Sequence, residues 1–351
     1  MRLCCVRLIQ KPSFEPKSIR PFRLLPSLLL GIAFLFPLQL LGAEQSEPPA
    51  PYVVPQTEKS DRYDSMEASR NYLSEKITNF ASNIDRFFGG DRHYQESNPS
   101  VIQLSVARGD GYGTNRNFDL AAKLNLRLPV TEGRLRLLVE TDPEENAITG
   151  VTPAQTKTVL PSNKAVAPKS VAVAVRVVAA EENVWNFNTD AGLQFPIPPK
   201  PFVRTRGSYS TPMGDWRLKA AESVYWFNRL GAGETTQLDL ERILSNSVLF
   251  RSTTNATYLN DKKNFDLRQD LSFYHTLNDR TALLYQASAI GVSNPQFQVT
   301  DYVALLFYRY RLHKEWLFFE ASPQLHFPRE KSFKASPAFN IRLEILFDDS
   351  R

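Results

Sequence analysis

The side chains best suited to metal binding or proton transfer are four histidines scattered along the chain: His93, His275, His313 and His326. None is followed by a second histidine or a cysteine at the i+2 or i+4 spacing that brings two ligands to one metal ion. The glycine-rich stretch 109–113 has the character of a loop between strands rather than of a phosphate-binding loop. The sequence therefore predicts no metal site and no cofactor.

A serine hydrolase needs a serine–histidine pair and a third group that orients the histidine. Ser322 and His326 would share one face of a strand, with Gln324 between them. Four residues of extended chain span about 13 Å, too far for a hydrogen bond, although a partner from another strand stays open. The sequence predicts that the protein is not an enzyme, and a hydrolase is kept only as the third candidate function.

The most informative polar side chains are charged residues that alternate with large apolar ones. Because successive side chains of a strand point to opposite faces, each such segment has one apolar and one charged face. The main candidates for the charged face are Lys123, Arg127, Arg136, Arg176, Arg217, Arg251, Arg268, Asp270, Arg309, Arg311, Glu320, Arg342 and Glu344. The same parity adds Lys219, Asp119, Glu140, Asp190, Asp239, Glu241 and Asp266.

The alternating segments must be strands, and several of them run for about 10–13 residues. That length lets a tilted strand cross a membrane, whereas strands of a soluble β-sandwich, the alternative fold, average about 5–6 residues. Aromatic residues gather near the segment ends, as in the interfacial girdles of membrane proteins. A mean hydropathy of −0.33 fits strands that are apolar on one face only.

The segment 338–347 carries large apolar residues at every second position: Phe339, Ile341, Leu343, Ile345 and Phe347. It resembles the C-terminal signature strand of bacterial outer-membrane β-barrels. Residues 101–347 together resemble that class of barrel and, within it, a proteobacterial family without an assigned activity. The resemblance implies recognition of this strand by the barrel-assembly machinery, and a barrel surrounded by outer-membrane lipid and lipopolysaccharide. The tail 348–351 departs from the pattern, in which the aromatic residue is the last one.

The connections between strands alternate between short and long. Short ones are predicted at 130–133, 181–183, 213–215, 245–247, 278–279 and 313–315, and longer ones at 109–115, 142–169, 196–201, 229–233, 260–264, 291–299 and 328–336. Short turns on the periplasmic rim and long loops outside are typical of outer-membrane barrels. We predict an all-β fold: an antiparallel transmembrane barrel of fourteen strands over residues 101–347, with twelve as the fallback.

The N-terminal region has a different character. Residues 1–43 have the basic start, apolar stretch and small-residue site of a signal peptide. We predict a Pro-rich linker over 44–60 and an amphipathic periplasmic helix over 61–90, which lies on the barrel's periplasmic end or pairs as a coiled coil. The leader holds both cysteines, six of the 42 basic residues and one of the 37 acidic residues, leaving 36 of each charge. The basic balance of the whole chain is therefore no sign of nucleic-acid binding.

The sequence predicts the location of the protein more precisely than its function. We expect it in the outer membrane of a Gram-negative bacterium, after export. The leading hypothesis is a passive channel for small polar or anionic solutes, because an inward charged wall sets solute preference. The alternative is a non-conducting structural or adhesive barrel that acts through its loops or its periplasmic helix, with inward charges paired to one another. The oligomeric state stays open.

Overall fold

The computed structural model describes residues 76, 79–84, 87–88, 100–113, 118–128, 134–148, 170–181, 184–261, 263–314 and 316–348. Within these ranges fourteen strands form one closed antiparallel barrel, in which each strand pairs with the next and β1 pairs with β14. The strands are β1 Val101–Gly111, β2 Phe118–Arg127, β3 Leu135–Thr141, β4 Val171–Glu181, β5 Trp185–Gln194, β6 Lys200–Met213, β7 Trp216–Phe227, β8 Gly231–Ser245, β9 Val248–Leu259, β10 Asn264–Asn278, β11 Thr281–Val292, β12 Gln298–His313, β13 Leu317–Pro328 and β14 Ser336–Asp348.

The strands form because apolar and polar residues alternate along them, so that closure puts one kind of side chain on each side of the wall. In β4, Val175 and Val177 are exposed on the outer surface, whereas Ala174 and Arg176 are buried inside. The prediction of an all-β, fourteen-stranded antiparallel barrel is confirmed, and the twelve-strand fallback is not needed.

The barrel has two unlike rims. The turns that follow β2, β4, β6, β8, β10 and β12 lie on one rim, here called the short-turn rim, together with the start of β1 and the end of β14. The other connections lie on the opposite, long-loop rim. The longest of them, between β3 and β4, begins with a short helix, α1 (Pro143–Ile148), and the last contains a 3-10 turn at Arg329–Lys331.

The closing seam between β1 and β14 requires a glycine at the long-loop rim. Gly111 has φ +100°, and a Cβ there would lie 2.3 Å from the carbonyl oxygen of Pro337. A side chain at this position would therefore push the two strands apart.

No helix within the described ranges is long and apolar enough to cross a membrane. The predicted signal peptide, the linker, most of the predicted helix 61–90 and the predicted tail beyond Asp348 fall outside the described residues, whereas Asp348 itself ends β14. Their boundaries stay predictions.

Candidate functional site

The inner wall of the barrel carries its chemistry as clusters of paired charges. The first, the Asp190 cluster, comprises Arg136, Glu140, Arg176, Asp190 and Arg204 on β3–β6, all of them buried. Arg176 donates from Nε and Nη2 to the two carboxylate oxygens of Asp190, at 2.6 and 2.9 Å. Arg204 donates to Asp190 Oδ2 at 2.7 Å and to Glu140 Oε1 at 3.0 Å, so one guanidinium joins two carboxylates.

The second cluster, the Glu241 cluster, lies on β7–β9 and comprises Arg217, Lys219, Asp239, Glu241 and Arg251. Arg217 Nε donates to Glu241 Oε2 at 2.8 Å, and Arg251 Nε donates to Glu241 Oε1 at 2.6 Å. Glu241 and Arg251 are fully buried. The register places Lys219 opposite Asp239. Charges withdrawn from water to this degree are stable only when such pairs satisfy them.

The third cluster, the Arg309 cluster, lies on β12–β14. Arg309 Nη2 donates to Glu344 Oε1 at 2.6 Å, and Nη1 contacts Glu320. The guanidinium carbon of Arg309 also lies 4.0 Å from the centre of the Phe318 ring, a cation–π contact. Arg342 reaches Glu320 at 3.7 Å and keeps part of its side chain exposed.

A smaller polar group lines β10 and β11. Arg268 Nε donates to Asp270 Oδ1 at 2.8 Å, and its Nη2 donates to Ser288 at 3.2 Å. Gln286 donates to Ser288 at 2.8 Å and to Asp270 at 3.3 Å. Arg268 keeps part of its side chain in contact with solvent, as Arg342 does in the third cluster.

The structure brings most of the predicted charged-face residues into these clusters. Lys123 is half-buried on β2, where the register places it opposite Glu140. Arg127 is exposed at the short-turn rim, and Arg311 lies near the rings of Phe87 and Phe318. Sequence reasoning missed Arg204, the residue that joins Asp190 to Glu140. The available signal was the alternation of Arg204 and Arg206 with Val203 and Thr205 along β6.

Part of the inner wall is apolar, which sequence reasoning also missed. At the short-turn half of β9–β12 the inward side chains include Leu249, Tyr274, Leu284, Leu305 and Phe307, all buried. Here both faces of a strand are apolar, as at Leu283 and Leu284. An inward apolar wall is stable only when something covers it.

A helical segment, residues 79–84 with Phe87 and Phe88, covers this apolar wall. Ala81, Ile84 and Phe88 are buried in one cluster with the wall residues. The Phe88 ring lies 5.3 Å from the Tyr274 ring and 5.8 Å from the Phe307 ring, centre to centre. We call these residues the plug segment, because they occupy the lumen at the short-turn rim.

At the long-loop half of the barrel, α1 also packs inward. Glu144 accepts hydrogen bonds from Arg229 Nη2 at 2.5 Å and from Gln194 Nε2 at 3.3 Å. Ala147 joins a buried cluster with wall residues that include Phe202 and Phe227. The hydrogen bond to Glu144 is the main reason that the pKa of Arg229 is raised. The loop 142–169, predicted to be exposed outside, therefore begins with a turn of helix inside the barrel mouth.

His326, the histidine of the candidate hydrolase pair, has partners other than Ser322. His326 is buried, with Nδ1 2.8 Å from Asp301 Oδ2 and Nε2 3.1 Å from Gln324 Oε1. Both ring nitrogens thus contact groups other than Ser322, although Ser322 shares the inward face. Among the described residues, no three His, Cys, Asp or Glu side chains are placed to hold a metal ion.

The closed antiparallel barrel and the two faces of its wall define the class of this protein. A closed barrel satisfies every backbone group between strands, and an outward apolar face suits lipid, so the protein is an integral outer-membrane β-barrel.

The chain is similar to several solved structures at low sequence identity. OprB of Pseudomonas putida has a TM-score of 0.41 and 10% sequence identity, over 71% of this chain and 93% of that one. The outer-membrane channel DcaP of Acinetobacter baumannii gives 0.39 and 9%, over 71% and 96% of the two chains. The NanC porin gives 0.36 and 7%, over 70% and 98%. No protein-family model and no curated protein sequence matches the chain.

Proposed function

We propose that the protein is an outer-membrane channel for small polar or anionic solutes. The observation that carries the proposal is that two segments which are not strands pack against the inside of the wall. A fourteen-stranded wall encloses a lumen too wide for its own side chains to fill, unlike that of an eight-stranded barrel. These two segments, the plug segment and α1, lie inside the lumen near its two ends. Displacement of the plug segment and α1 would open the lumen, and such an arrangement suits a channel better than a purely structural barrel.

The charge of the inner wall favours anions. The Asp190 cluster has three arginines for two carboxylates, and the Glu241 cluster has two arginines and a lysine for two carboxylates. Each therefore carries one net positive charge when all groups are ionised. Charged rings of this kind set the preference of a pore for ions of the opposite sign.

Conductance measurements in planar bilayers test the proposal by comparing two substitutions in the plug segment, one at a buried and one at an exposed position. Ile84→Asp puts a charge at a plug position that is 2% exposed and packed on the inner wall. Asn83→Asp makes the same kind of change at an exposed position. We expect Ile84→Asp to raise the open probability, and Asn83→Asp to leave it at the level of the unaltered protein. A mature chain without residues 44–98 should open most often.

A non-conducting barrel that acts through its loops is the second candidate, and the buried, paired charges favour it. Its prediction is distinct: no current steps from Ile84→Asp or from the chain without residues 44–98, although both fold. That result would eliminate the channel. The absence of enzyme activity stays a prediction, supported by the Asp301 and Gln324 partners of His326.

Export is part of the same proposal. We infer cleavage of residues 1–43, a mature chain that begins near Glu44, and insertion by the barrel-assembly machinery among lipid and lipopolysaccharide. N-terminal sequencing of the protein from purified outer membranes tests the cleavage. A retained leader would contradict it.

A further inference from the structure

The outward face of the barrel is not uniformly apolar. On β4, on β11–β14 and over the first half of β1 (Ile102, Leu104 and Val106), the outward residues are almost all large apolar or small alanine side chains. On β5–β10 a different band runs across the middle of the wall. Its members are Thr189, Thr205, Gly207, Glu222, Thr236, Ser252, Thr254 and Gln269, which we call the polar band.

Two layers of aromatic rings place the polar band at the depth of the lipid tails. Toward the short-turn rim, Phe250 packs against Trp216 and Phe273, with ring centres 6.1 and 5.0 Å apart. Toward the long-loop rim, the rings of Tyr258 and Phe265 are 4.9 Å apart. Aromatic girdles mark the two membrane interfaces. Along β9 the outward positions between Phe250 and Tyr258 are serine, threonine and alanine.

The band forms its own hydrogen bonds but does not satisfy all its polar atoms. Thr236 donates to Glu222 Oε2 at 2.6 Å, and Thr254 donates to Gln269 Oε1 at 2.6 Å. Glu222 is exposed, and its second carboxylate oxygen has no hydrogen-bond partner within the described part of the chain. Lipid tails offer neither donors nor acceptors, so polar groups at this depth mark contact with protein.

We propose that the polar band is the interface between two copies of this barrel. The band crosses six strands, about 24 Å at the usual strand spacing, whereas one transmembrane helix is about 10 Å wide. Its width therefore matches another sheet wall. Its hydroxyl and amide groups both donate and accept, so the band can pair with itself, as a two-fold interface requires.

The two-fold arrangement gives the proposal a definite geometry. An axis along the membrane normal near β8 places β7 of one copy opposite β9 of the other. Glu222 then faces Ser252 across the interface, and the Ser252 hydroxyl, which accepts from Gln269 at 2.9 Å, keeps its own hydrogen to donate. Gly207, Ala220 and Ala256 are small, which lets the two walls approach closely. This proposal is independent of whether the lumen conducts.

Cysteine cross-linking in native outer membranes tests the two-fold contact. The full chain carries cysteine only at positions 4 and 5, in the predicted leader, so a single new thiol reports alone. Thr236→Cys, near the axis, should give a product of twice the chain mass with a short bismaleimide. Leu104→Cys, outward on the opposite wall, should stay monomeric. Equal yields from both variants, no product, or a product with a chain of another mass would each overturn the proposal.

A second variant separates the interface from folding. Glu222→Leu removes the hydrogen-bonding group and suits lipid, so the barrel should keep its heat-modifiable mobility on gels. We expect the dissociation constant of the dimer in detergent, followed by native mass spectrometry, to rise about tenfold or more. An unchanged dissociation constant, or unaltered protein that is monomeric in membranes, would overturn the role of the band.

Discussion

Arg309 pairs with two carboxylates, and all three side chains are buried. Its side chain is 0% exposed, and Glu320 and Glu344 lie beside it at 2% and 0%. Removing one partner of a buried charge group leaves the others uncompensated, which costs about 3–5 kcal/mol. Arg309→Ala should lower the stability of the folded barrel by about this amount, measured by urea unfolding in lipid vesicles.

Arg342 provides the matched control for that experiment. It contacts the same Glu320 at 3.7 Å but keeps part of its side chain exposed. Arg342→Ala should cost about 1 kcal/mol or less, as expected for a weak, partly solvated pair. Equal losses from the two variants would contradict the view that burial makes Arg309 important.

Tyr112 couples two loops of the long-loop rim through its hydroxyl group. It donates to Glu330 Oε1 at 2.9 Å, and its ring lies 5.2 Å from that of His326. Burial, followed by the Glu330 hydrogen bond, raises the pKa of Tyr112 to about 12. An unfolded tyrosine ionises near pH 10. The protonated hydroxyl therefore stabilises the fold below about pH 10, and this contribution is lost as the pH rises toward 12.

An ultraviolet titration of the unaltered protein minus that of Tyr112→Phe isolates this one hydroxyl group. The difference should show a midpoint well above pH 10. A midpoint near pH 10 would mean that the loop contact does not hold in solution.

At the scale of elements, β14 carries Phe347, the aromatic residue of the predicted signature strand. Phe347 is exposed on the outer surface and stacks on the Trp316 ring at 5.8 Å. The resemblance to a signature strand predicts that Phe347 serves assembly more than folding energy. Phe347→Ala should lower the yield of heat-modifiable, membrane-inserted protein.

Phe339 is the control at the other end of the same strand, with similar exposure. Phe339→Ala removes the same side chain from the same outward face but not from the signature position. A lower yield of membrane-inserted protein with Phe347→Ala but not with Phe339→Ala would support the prediction that β14 is a signature strand. Equal losses would show only that β14 needs aromatic side chains.

The strands were predictable because alternation is a local property of the sequence. The strand count and the order of short and long connections followed from it. What fills the lumen was not predictable, because parity assigns a side chain to a face without saying what lies opposite. In the adjacent pair Leu283 and Leu284, one residue faces outward and the other packs against Phe88 and its neighbours. The Arg204–Glu140 pair depends on the register of strands 64 residues apart in sequence.

At the scale of the whole molecule, the two rims give the barrel a direction in the membrane. The start of β1 and the end of β14 both lie on the short-turn rim, so both enter the barrel from one side. Short turns face the periplasm in barrels of this class. The loop 142–169 begins on the opposite rim, and it should therefore face the outside of the cell.

Paired epitope tags test this direction. A tag inserted near Thr156, which lies outside the described residues, should be labelled on intact cells. A tag at Asn246, in the two-residue turn between β8 and β9, should be labelled only after the outer membrane is permeabilised. Asn246 lies in a turn and Thr156 comes between β3 and β4 in the chain, so neither tag interrupts a strand of the barrel, and closure should survive each insertion. Labelling of Asn246 on intact cells, with Thr156 protected, would mean that the barrel is inserted the other way, with the plug segment facing outward.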